Sequence, residues 1–236
     1  MNLAIDIGNS SIKYARIEDD QVLEVKRFIN LEDLIPIVEE YESDSIAICS
    51  VHYSKEEIIE VLPKLKEAFY LTSKSILPIK LSYDTPNTLG MDRLAAAIGA
   101  WHMFPENAVM IIDLGSCITY DLVNEGQYLG GLIAPGIDLR YKSMHEFTAN
   151  LPLLSHRNDG NFIGKSTEES MRSGVINGIK GEIDHHISQL MLKYPDLKVI
   201  MTGGDARLFE SKINSNIFVA LEIVQLGLNR VLKENV

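Results

Sequence analysis

The chain has 236 residues, of which 46% are hydrophobic, so it can bury a sizeable core as one large domain or two small ones. Its formal net charge of -11 and its lack of clustered Lys or Arg argue against a nucleic-acid partner. We also expect a cytoplasmic protein with no membrane partner, because the sequence shows neither a secretory signal nor an apolar run long enough to cross a bilayer.

Two similar segments occur, one in each half of the chain. LAIDIGNSSIKY covers 3–14 and MIIDLGSCITY covers 110–120. With one residue omitted from the second copy, the matches are Asp6 with Asp113, Gly8 with Gly115, Ser10 with Ser116, Ile12 with Ile118 and Tyr14 with Tyr120. Each copy predicts a strand, a Gly turn, a strand, a polar turn around a shared Gln and a third strand. Two copies in register indicate an internal duplication, with domains at 1–106 and 107–236.

Between the copies, the sequence predicts helices on both sides of a strand. Apolar residues recur at helical spacing over 31–41 and 54–69, flanking the strand-like SIAICSV, and Pro36 and Pro63 are expected to kink or shift these helices. A turn-rich loop over 82–90 leads into a closely packed helix over 91–104.

The second half repeats this order after its strands end near Ile133. Helices are predicted over 137–149 and 167–194, with a loop between them over 150–166. Ser166 and Glu169 predict a reciprocal cap on the longer helix, and its three internal glycines indicate close helix packing. A strand over 197–204, a short helix and an amphipathic helix over 217–232 complete an α/β pattern.

Cys49 and Cys117 lie in apolar runs, which predicts two buried free thiols.

The first Gly turn carries groups suited to an anionic ligand. Gly8 allows backbone N–H groups to face a ligand, and Asn9, Ser10 and Ser11 add short polar side chains. Lys13 could reach a phosphate as a point charge, or could be a solvated strand residue. No Walker A or dinucleotide-binding pattern occurs. The interpretation that remains is a two-sided clasp, with one hairpin from each half.

Carboxylates end the first strand of each copy. Asp6 and Asp113 follow apolar strand residues, where a carboxylate is costly unless it binds a cation or caps a turn. The six histidines form no metal-ligand pattern. The two matched aspartates are therefore the candidates for cation binding.

Five segments, DIGNSSIK, PNTLGMDRLA, DLGSCITYD, GGLIAPG and TGGDA, occur in this order along the chain. Together they resemble the type III pantothenate kinases of the actin, hexokinase and chaperone ATPase superfamily, over nearly the whole chain. Pieces such as Asp-x-Gly are shared across that superfamily, whereas the Gly-x-Asp-Arg segment is specific. The resemblance implies a duplicated actin-like ATPase fold of the ribonuclease H-like kind, with two lobes of mixed sheets flanked by helices.

The resemblance also implies site residues. ATP would be bound by Asp6, Ile7, Gly8, Asn9, Ser10, Ser11, Ile12, Lys13 and Ser116, with Gly203, Gly204 and Asp205 bordering the adenosine. Pantothenate would be bound by Tyr83, Gly90, Met91, Asp92, Arg93 and Thr167, with Asp92 as the general base and Arg93 as an anchor. Outside this resemblance, Asp92 and Thr167 would be interpreted as helix caps.

Cations are implied as well, with Asp113 binding K⁺ or NH₄⁺ and Asp6 holding Mg²⁺ through water. Ser116, Cys117 and Ile118 depart from the usual Thr, Ala and small or hydroxyl residue, although Ser116 keeps the hydroxyl. The implied activity is ATP-dependent phosphorylation of pantothenate to 4'-phosphopantothenate, the first step of coenzyme A biosynthesis, by a homodimer. The alternatives are a nucleotide-binding regulatory relative without turnover and a superfamily kinase for another small alcohol.

Overall fold

A computed structural model describes residues 1–155 and 162–236. Its strands are β1 Asn2–Ile7, β2 Ile12–Glu18, β3 Gln21–Phe28, β4 Ile46–Ser50, β5 Phe69–Tyr70, β6 Lys80–Leu81, β7 Val109–Leu114, β8 Cys117–Asn124, β9 Gln127–Pro135, β10 Lys198–Thr202 and β11 Phe218–Val219. Its helices are α1 Ile35–Val38, α2 Lys55–Val61, α3 Met91–Met103, α4 Ile137–Glu146, α5 Thr167–Lys193, α6 Ala206–Glu210 and α7 Ile223–Asn235. The loop predicted over 150–166 includes residues 156–161, which lie outside the described residues.

The strands form two mixed sheets of related topology. The first has the order β3-β2-β1-β4-β5 and the second β11-β10-β7-β8-β9-β6. In each sheet an antiparallel three-stranded meander is extended by a parallel strand, β4 beside β1 and β10 beside β7. Both meanders carry a register shift in the middle strand, at Arg16/Ile17 and at Asp121/Val123. The predicted strand order of the duplication is therefore confirmed.

The sheets and helices alternate in layers, because successive strand residues point to opposite faces. Ala4 faces a central core that includes α3, α7 and residues of both sheets, whereas Leu3 and Ile5 face an outer core with α1 and α2. On the second sheet, Ile111 joins the central core and Ile112 joins an outer core with α4, α5 and α6. The predicted α/β fold of two helix-flanked mixed sheets is confirmed.

The helices α3 and α7 cross closely at the centre of the molecule. A Cβ atom at Gly99 would collide with the backbone oxygen of Ile223, and one at Gly227 with that of Ala95. Since α7 also packs on β1 and β4, the end of the chain contributes to the layer beside the first sheet. β6 precedes residue 106 and pairs with β9 of the second sheet. The division at 106/107 remains a prediction.

Several local predictions were wrong in their extent. The helix expected over 31–41 is a 3₁₀ turn over Leu31–Leu34 followed by α1, because Pro36 near the start of α1 has no N–H to continue an earlier helix. The helix expected over 54–69 ends at Val61, since Pro63 excludes helical geometry at the preceding residue, Leu62, with φ -126° and ψ 74°.

The predicted C-terminal helix also starts later than expected. Phe218 and Val219 form β11, which pairs in parallel with Ile200 and Met201, and α7 begins only at Ile223. Pairing with β10 at the edge of the sheet provides hydrogen bonds for the backbone of these residues, so they form a strand although their apolar spacing is helical.

Three expectations for the second half were wrong in detail. Within the described chain, a Cβ atom at Gly174 or Gly181 would meet no neighbour within 4 Å, so the α5 glycines do not mark close packing. Ser166 caps the Glu169 N–H, but the Glu169 carboxylate accepts from Lys165 N at 2.7 Å instead of closing a reciprocal cap. Cys117 is exposed, because it starts β8 beside a turn, whereas Cys49 is buried.

Of the helices in the described ranges, none is long and apolar enough to span a membrane.

Candidate active site

The two Gly turns predicted from the repeat meet between the sheets. Gly8 N donates to Ser11 O at 3.1 Å in the first turn, and Gly115 N donates to Cys117 O at 3.0 Å in the second. The Ser10 and Ser116 hydroxyl oxygens are 2.7 Å apart, so the two halves touch at matched residues. The turns expected to hold phosphates therefore lie side by side, with short polar groups between them.

The strand-end carboxylates lie beneath these turns. Burial raises the pKa of Asp6 to about 7, and the nearby Asp92 adds to this effect while Lys13 opposes it. Burial also raises the pKa of Asp113 to about 6, with Lys13 opposing and Asp92 adding. Cys49 Sγ donates to Asp6 Oδ1 at 3.4 Å. Three carboxylates and one ammonium thus converge on one region.

Lys13 brings a positive charge to the first hairpin, next to Asp6. It lies directly across the ladder from Asp6, whereas Thr119 occupies the corresponding place opposite Asp113. Lys13 also borders a cavity of about 250 Å³ between the halves, lined by Lys13, Val25, Lys26, Arg27, Gly203, Gly204, Arg207, Leu221 and Glu222. The cavity joins the first hairpin to the segment expected to border adenosine.

The segment after β10 packs against the second turn. Gly203 has φ +93°, and a Cβ atom there would lie 2.5 Å from both Asp113 Oδ1 and Leu114 O. Asp205 N donates to Leu114 O at 3.1 Å. Because an L side chain would be strained at this φ and would also collide, Gly203 is required for this close approach.

The Gly-x-Asp-Arg segment starts α3, with Gly90 as its N-cap residue and the partly buried Met91 as its first residue. Asp92 Oδ1 accepts from Arg93 N at 2.8 Å, and burial raises the pKa of Asp92. A Cβ atom at Gly90 would lie 2.5 Å from Asp92 Oδ1. The segment therefore places a desolvated carboxylate beside Asp6 and Asp113, where it can accept a proton nearer neutral pH than an exposed Asp.

Arg93 belongs to a buried polar cluster that the sequence did not reveal. Its Nε lies 3.0 Å and its Nη2 2.6 Å from Asp121 Oδ1, and Tyr128 OH donates to the same oxygen at 2.7 Å. The Tyr83 ring packs beside this cluster, with its centroid 5.9 Å from that of Tyr128. The available signal was a charged residue inside an apolar strand, at the position where the first copy has Ala15.

Thr167 lies apart from these elements. It is the exposed first residue of α5, a helix that packs against α4. Its side chain forms no hydrogen bond with any residue in the described ranges. The structure thus gathers the other predicted residues near the two turns and α3, while the substrate-side role of Thr167 remains a prediction.

The residues present fit cations shared with a phosphate ligand. In the described part of the chain, no three His, Cys, Asp or Glu side chains are arranged to hold a metal by themselves. Burial nevertheless raises the pKa of both Asp6 and Asp113, so a cation beside them would favour their charged forms. Mg²⁺ commonly binds through one or two carboxylates, waters and substrate phosphates. This donor set suits such a site.

Comparisons with known proteins agree with this geometry. The family model for type III pantothenate kinase matches residues 2–189. The type III pantothenate kinase of Cytophaga hutchinsonii is 37% identical, and the alignment covers all of both chains.

Solved structures share the fold at lower identity. A Campylobacter jejuni protein assigned to the Baf family of transcriptional activators has a TM-score of 0.64 and 24% identity, covering 99% of this chain and 98% of the other. The polyphosphate/ATP-glucomannokinase of an Arthrobacter strain has a TM-score of 0.52 and 12% identity, with 99% and 98% covered. The expected actin-like ATPase fold is confirmed. By the family match and the full-length identity, the chain belongs to the type III pantothenate kinase family.

Proposed function

We propose that this chain catalyses ATP-dependent phosphorylation of pantothenate to 4'-phosphopantothenate, the first step of coenzyme A biosynthesis. The observation that carries the proposal is the convergence of Asp6, Asp92 and Asp113 beneath two touching Gly turns. A family relative of full-length similarity bears the name of this activity. Phosphoryl transfer needs this combination of phosphate-binding backbone, charge neutralisation and a positioned base.

In the proposed reaction, the two turns hold the ATP phosphates through backbone N–H groups and the Ser10 and Ser116 hydroxyls. Lys13 neutralises part of the phosphate charge. Asp92 accepts the proton of the primary hydroxyl of pantothenate as that oxygen bonds to the γ-phosphorus, and the bond from phosphorus to the bridging oxygen of ADP breaks. Gly203, Gly204 and Asp205 border the adenosine.

The cations are part of the proposal. Asp6 would hold Mg²⁺ through water, and Asp113 would hold K⁺ or NH₄⁺ beside the nucleotide. When bound, these ions neutralise phosphate charge that two carboxylates would otherwise repel. Activity measured in K⁺, in NH₄⁺ and in a bulky organic cation tests the role of Asp113, and equal activity in all three would remove it.

We also propose a homodimer. Large apolar side chains of the described chain are exposed repeatedly between β9 and the start of α5: Leu129 40%, Leu132 48%, Ile133 63%, Leu139 44%, Phe147 85%, Leu153 57%, Phe162 75% and Ile163 71%. Exposed apolar surface of this kind marks interaction sites. Sedimentation of wild type and Phe147→Glu should give a dimer and a weakened dimer, and a monomeric wild type would contradict the proposal.

The activity is tested with purified protein and a panel of small alcohols in a coupled ATPase assay. We expect turnover with pantothenate above all others. Asp92→Asn should lower kcat by roughly 10²- to 10⁴-fold because the positioned base is lost, while ATP affinity measured by calorimetry stays close to wild type. Preference for another alcohol would indicate a different superfamily kinase, and nucleotide binding without any turnover would indicate a regulatory relative.

A further inference from the structure

The family resemblance implies that Arg93 anchors the acceptor substrate, and this inference rests on the proposed function. Its guanidinium is already engaged on one edge. Asp121 Oδ1 accepts from Nη2 at 2.6 Å and Asp121 Oδ2 accepts from Nε at 3.2 Å, which is the side-on bidentate geometry of an Arg–carboxylate pair. The side chain of Asp121 is 1% exposed and that of Arg93 is 8% exposed. The bonds to Asp121 use Nε and Nη2, so the outer edge at Nη1 is the part of the Arg93 guanidinium that remains for a ligand, whereas Asp121 is enclosed.

Asp121 is itself held by further donors. Tyr128 OH donates to Oδ1 at 2.7 Å, in addition to the Nε and Nη2 donors of Arg93. Tyr128 is fully buried, and β9 continues to Gly131, where a Cβ atom would lie 2.8 Å from Asp121 Oδ1. A buried carboxylate with this many donors has one position available, so it fixes the orientation of the guanidinium.

The charges near Arg93 limit what that outer edge can bind. Asp121 balances the Arg93 charge in a buried one-to-one pair, and Asp92 lies next to Arg93 in the chain and interacts with it electrostatically. A second carboxylate brought to Arg93 would therefore join a region that is already neutral or negative. An uncharged hydroxyl or carbonyl oxygen would accept the remaining N–H groups without this repulsion.

We propose that Asp121, supported by Tyr128, is a positioning residue that fixes and neutralises Arg93, so that Arg93 recognises an uncharged oxygen of the acceptor substrate and not its carboxylate. In pantothenate such oxygens are the secondary hydroxyl and the amide carbonyl, which lie near the primary hydroxyl that Asp92 would deprotonate. The carboxylate lies at the far end of the substrate. Recognition at Arg93 and chemistry at Asp92 then involve the same end of the molecule.

The chain offers a matched control. Tyr120 OH donates to Glu182 Oε1 at 2.7 Å and Arg140 Nη2 donates to Glu182 Oε2 at 2.8 Å, which repeats the Tyr, carboxylate and Arg arrangement outside the proposed site. Glu182→Gln should weaken folding without changing substrate affinity. Asp121→Asn and Tyr128→Phe alter the equivalent cluster at Arg93. A change in substrate KM that these variants show and Glu182→Gln does not show therefore reports substrate positioning and not a general loss of stability.

The experiment measures KM and kcat for pantothenate, for pantothenol (in which a hydroxymethyl group replaces the carboxylate) and for ATP. We expect Asp121→Asn to raise KM at least 10-fold for pantothenate and by a similar factor for pantothenol, with KM for ATP within 2-fold of wild type. Tyr128→Phe, which keeps the ion pair, should raise both acceptor KM values about 3-fold. Glu182→Gln should leave all three KM values unchanged.

Two results would overturn the inference. If Arg93 binds the carboxylate, Asp121→Asn removes a competing anion, and pantothenate should then gain affinity relative to pantothenol. If Asp121→Asn and Tyr128→Phe behave like Glu182→Gln, Asp121 has only a structural role. Should Asp121→Asn not fold, Tyr128→Phe decides whether the cluster positions Arg93, and Arg93→Gln decides what Arg93 binds. Similar losses for pantothenate and pantothenol would support an uncharged oxygen, and a loss confined to pantothenate would overturn the inference. A wild-type protein that does not phosphorylate pantothenate would contradict the proposed function instead.

Discussion

The two Gly turns share one sequence pattern but are held in different ways. Gly8 N bonds to an oxygen three residues ahead and Gly115 N to one two residues ahead, which accounts for the residue omitted from the second copy. The ends of β1 and β7 accept equivalent bonds from Val51 N and Asp205 N. In the described part of the chain, the second turn has an additional donor, because Gly136 N bonds to Ser116 O at 3.1 Å. Duplication has kept the scaffold, while the surroundings of each turn have diverged.

The charges of the two hairpins have diverged as well. Lys13 in the first hairpin corresponds to Thr119 in the second, and Ala15 corresponds to Asp121. The first copy thus provides a cation near the proposed phosphates, and the second provides the carboxylate that holds Arg93. In the proposed scheme, the matched residues form the phosphate clasp of both halves, whereas the unmatched residues give each half a separate role.

The largest expected effect tests whether the second turn depends on its close neighbour. Gly203→Ala should lower the free energy of unfolding by about 3 kcal/mol, because a Cβ atom is strained at φ +93° and would collide with Leu114 O. Gly204→Ala is the control, since a Cβ atom there meets nothing within 4 Å among the described residues. Chemical denaturation measures both variants. Equal losses would show that the second turn does not need this close approach.

The next effect tests the charge difference between the hairpins. Lys13→Met should lower kcat/KM for ATP by about 10- to 100-fold, because a point charge close to phosphate is lost while the aliphatic stem remains. Lys55→Met, on α2, is the comparison variant for a lysine outside the cleft. If both variants keep wild-type kinetics, Lys13 is a solvated strand residue and the hairpins do not differ in charge supply.

A smaller effect concerns the two strand-end carboxylates without nucleotide or divalent cation. A folded-state pKa of about 7 for Asp6, above the ordinary 3.8, means that the folded state binds more protons between these values, so stability falls as pH rises through this window. Asp6→Asn should remove the penalty and stabilise the protein at pH 8 by about 2 kcal/mol, after allowance for partial exposure. Asp113→Asn should gain about two thirds as much, since its pKa is raised only to about 6.

Thermal unfolding from pH 4 to pH 8 measures these gains. They should be absent near pH 4, grow through the window and level off near pH 7 for Asp113→Asn and near pH 8 for Asp6→Asn, with the exposed Asp84→Asn as the control. A gain that is independent of pH would show that neither carboxylate carries an unfavourable charge.

The smallest effect tests the contact between the halves. Ser10→Ala and Ser116→Ala each remove the same 2.7 Å hydrogen bond, so the double variant should be no less stable than either single one, with a coupling of about 0.5 kcal/mol. A double-mutant cycle on unfolding free energy measures the coupling. Strict additivity would mean that the two hydroxyls act independently.

The sequence predicted what local pattern determines. The alternation of apolar residues and the two Gly turns predicted the antiparallel meanders. The helix Met91–Met103 was predicted because apolar residues and alanines favour a helix along its whole length. The short segments were less predictable. Helical spacing over 217–222 was overridden by pairing of β11 with β10, a partner that only the folded chain supplies.

The site was predictable to the extent that it is repeated or carried by a family motif. Asp6, Gly8, Asp113 and Ser116 stand out through the duplication. Asp121 did not, because its partners Arg93 and Tyr128 lie in other elements and no spacing along the chain joins them. The α5 glycines led to a wrong prediction because their surroundings also depend on other elements. A glycine occurs at an open position as well as at a close contact, and the sequence does not distinguish the two.

The packing of α7 on the first strand has a consequence for synthesis on the ribosome. Asn229 accepts from Asn2 Nδ2 at 2.9 Å and donates to Asp20, and Lys233 also pairs with Asp20 at 2.8 Å. Asn2 and Asp20 therefore find these partners only when α7 has been translated. Until then Ala4 and Ala15 lack the α7 side of their core. We expect the nascent first half to remain incomplete until α7 has been synthesised, so a chain truncated before α7 should be unstable and should not contain a folded N-terminal half.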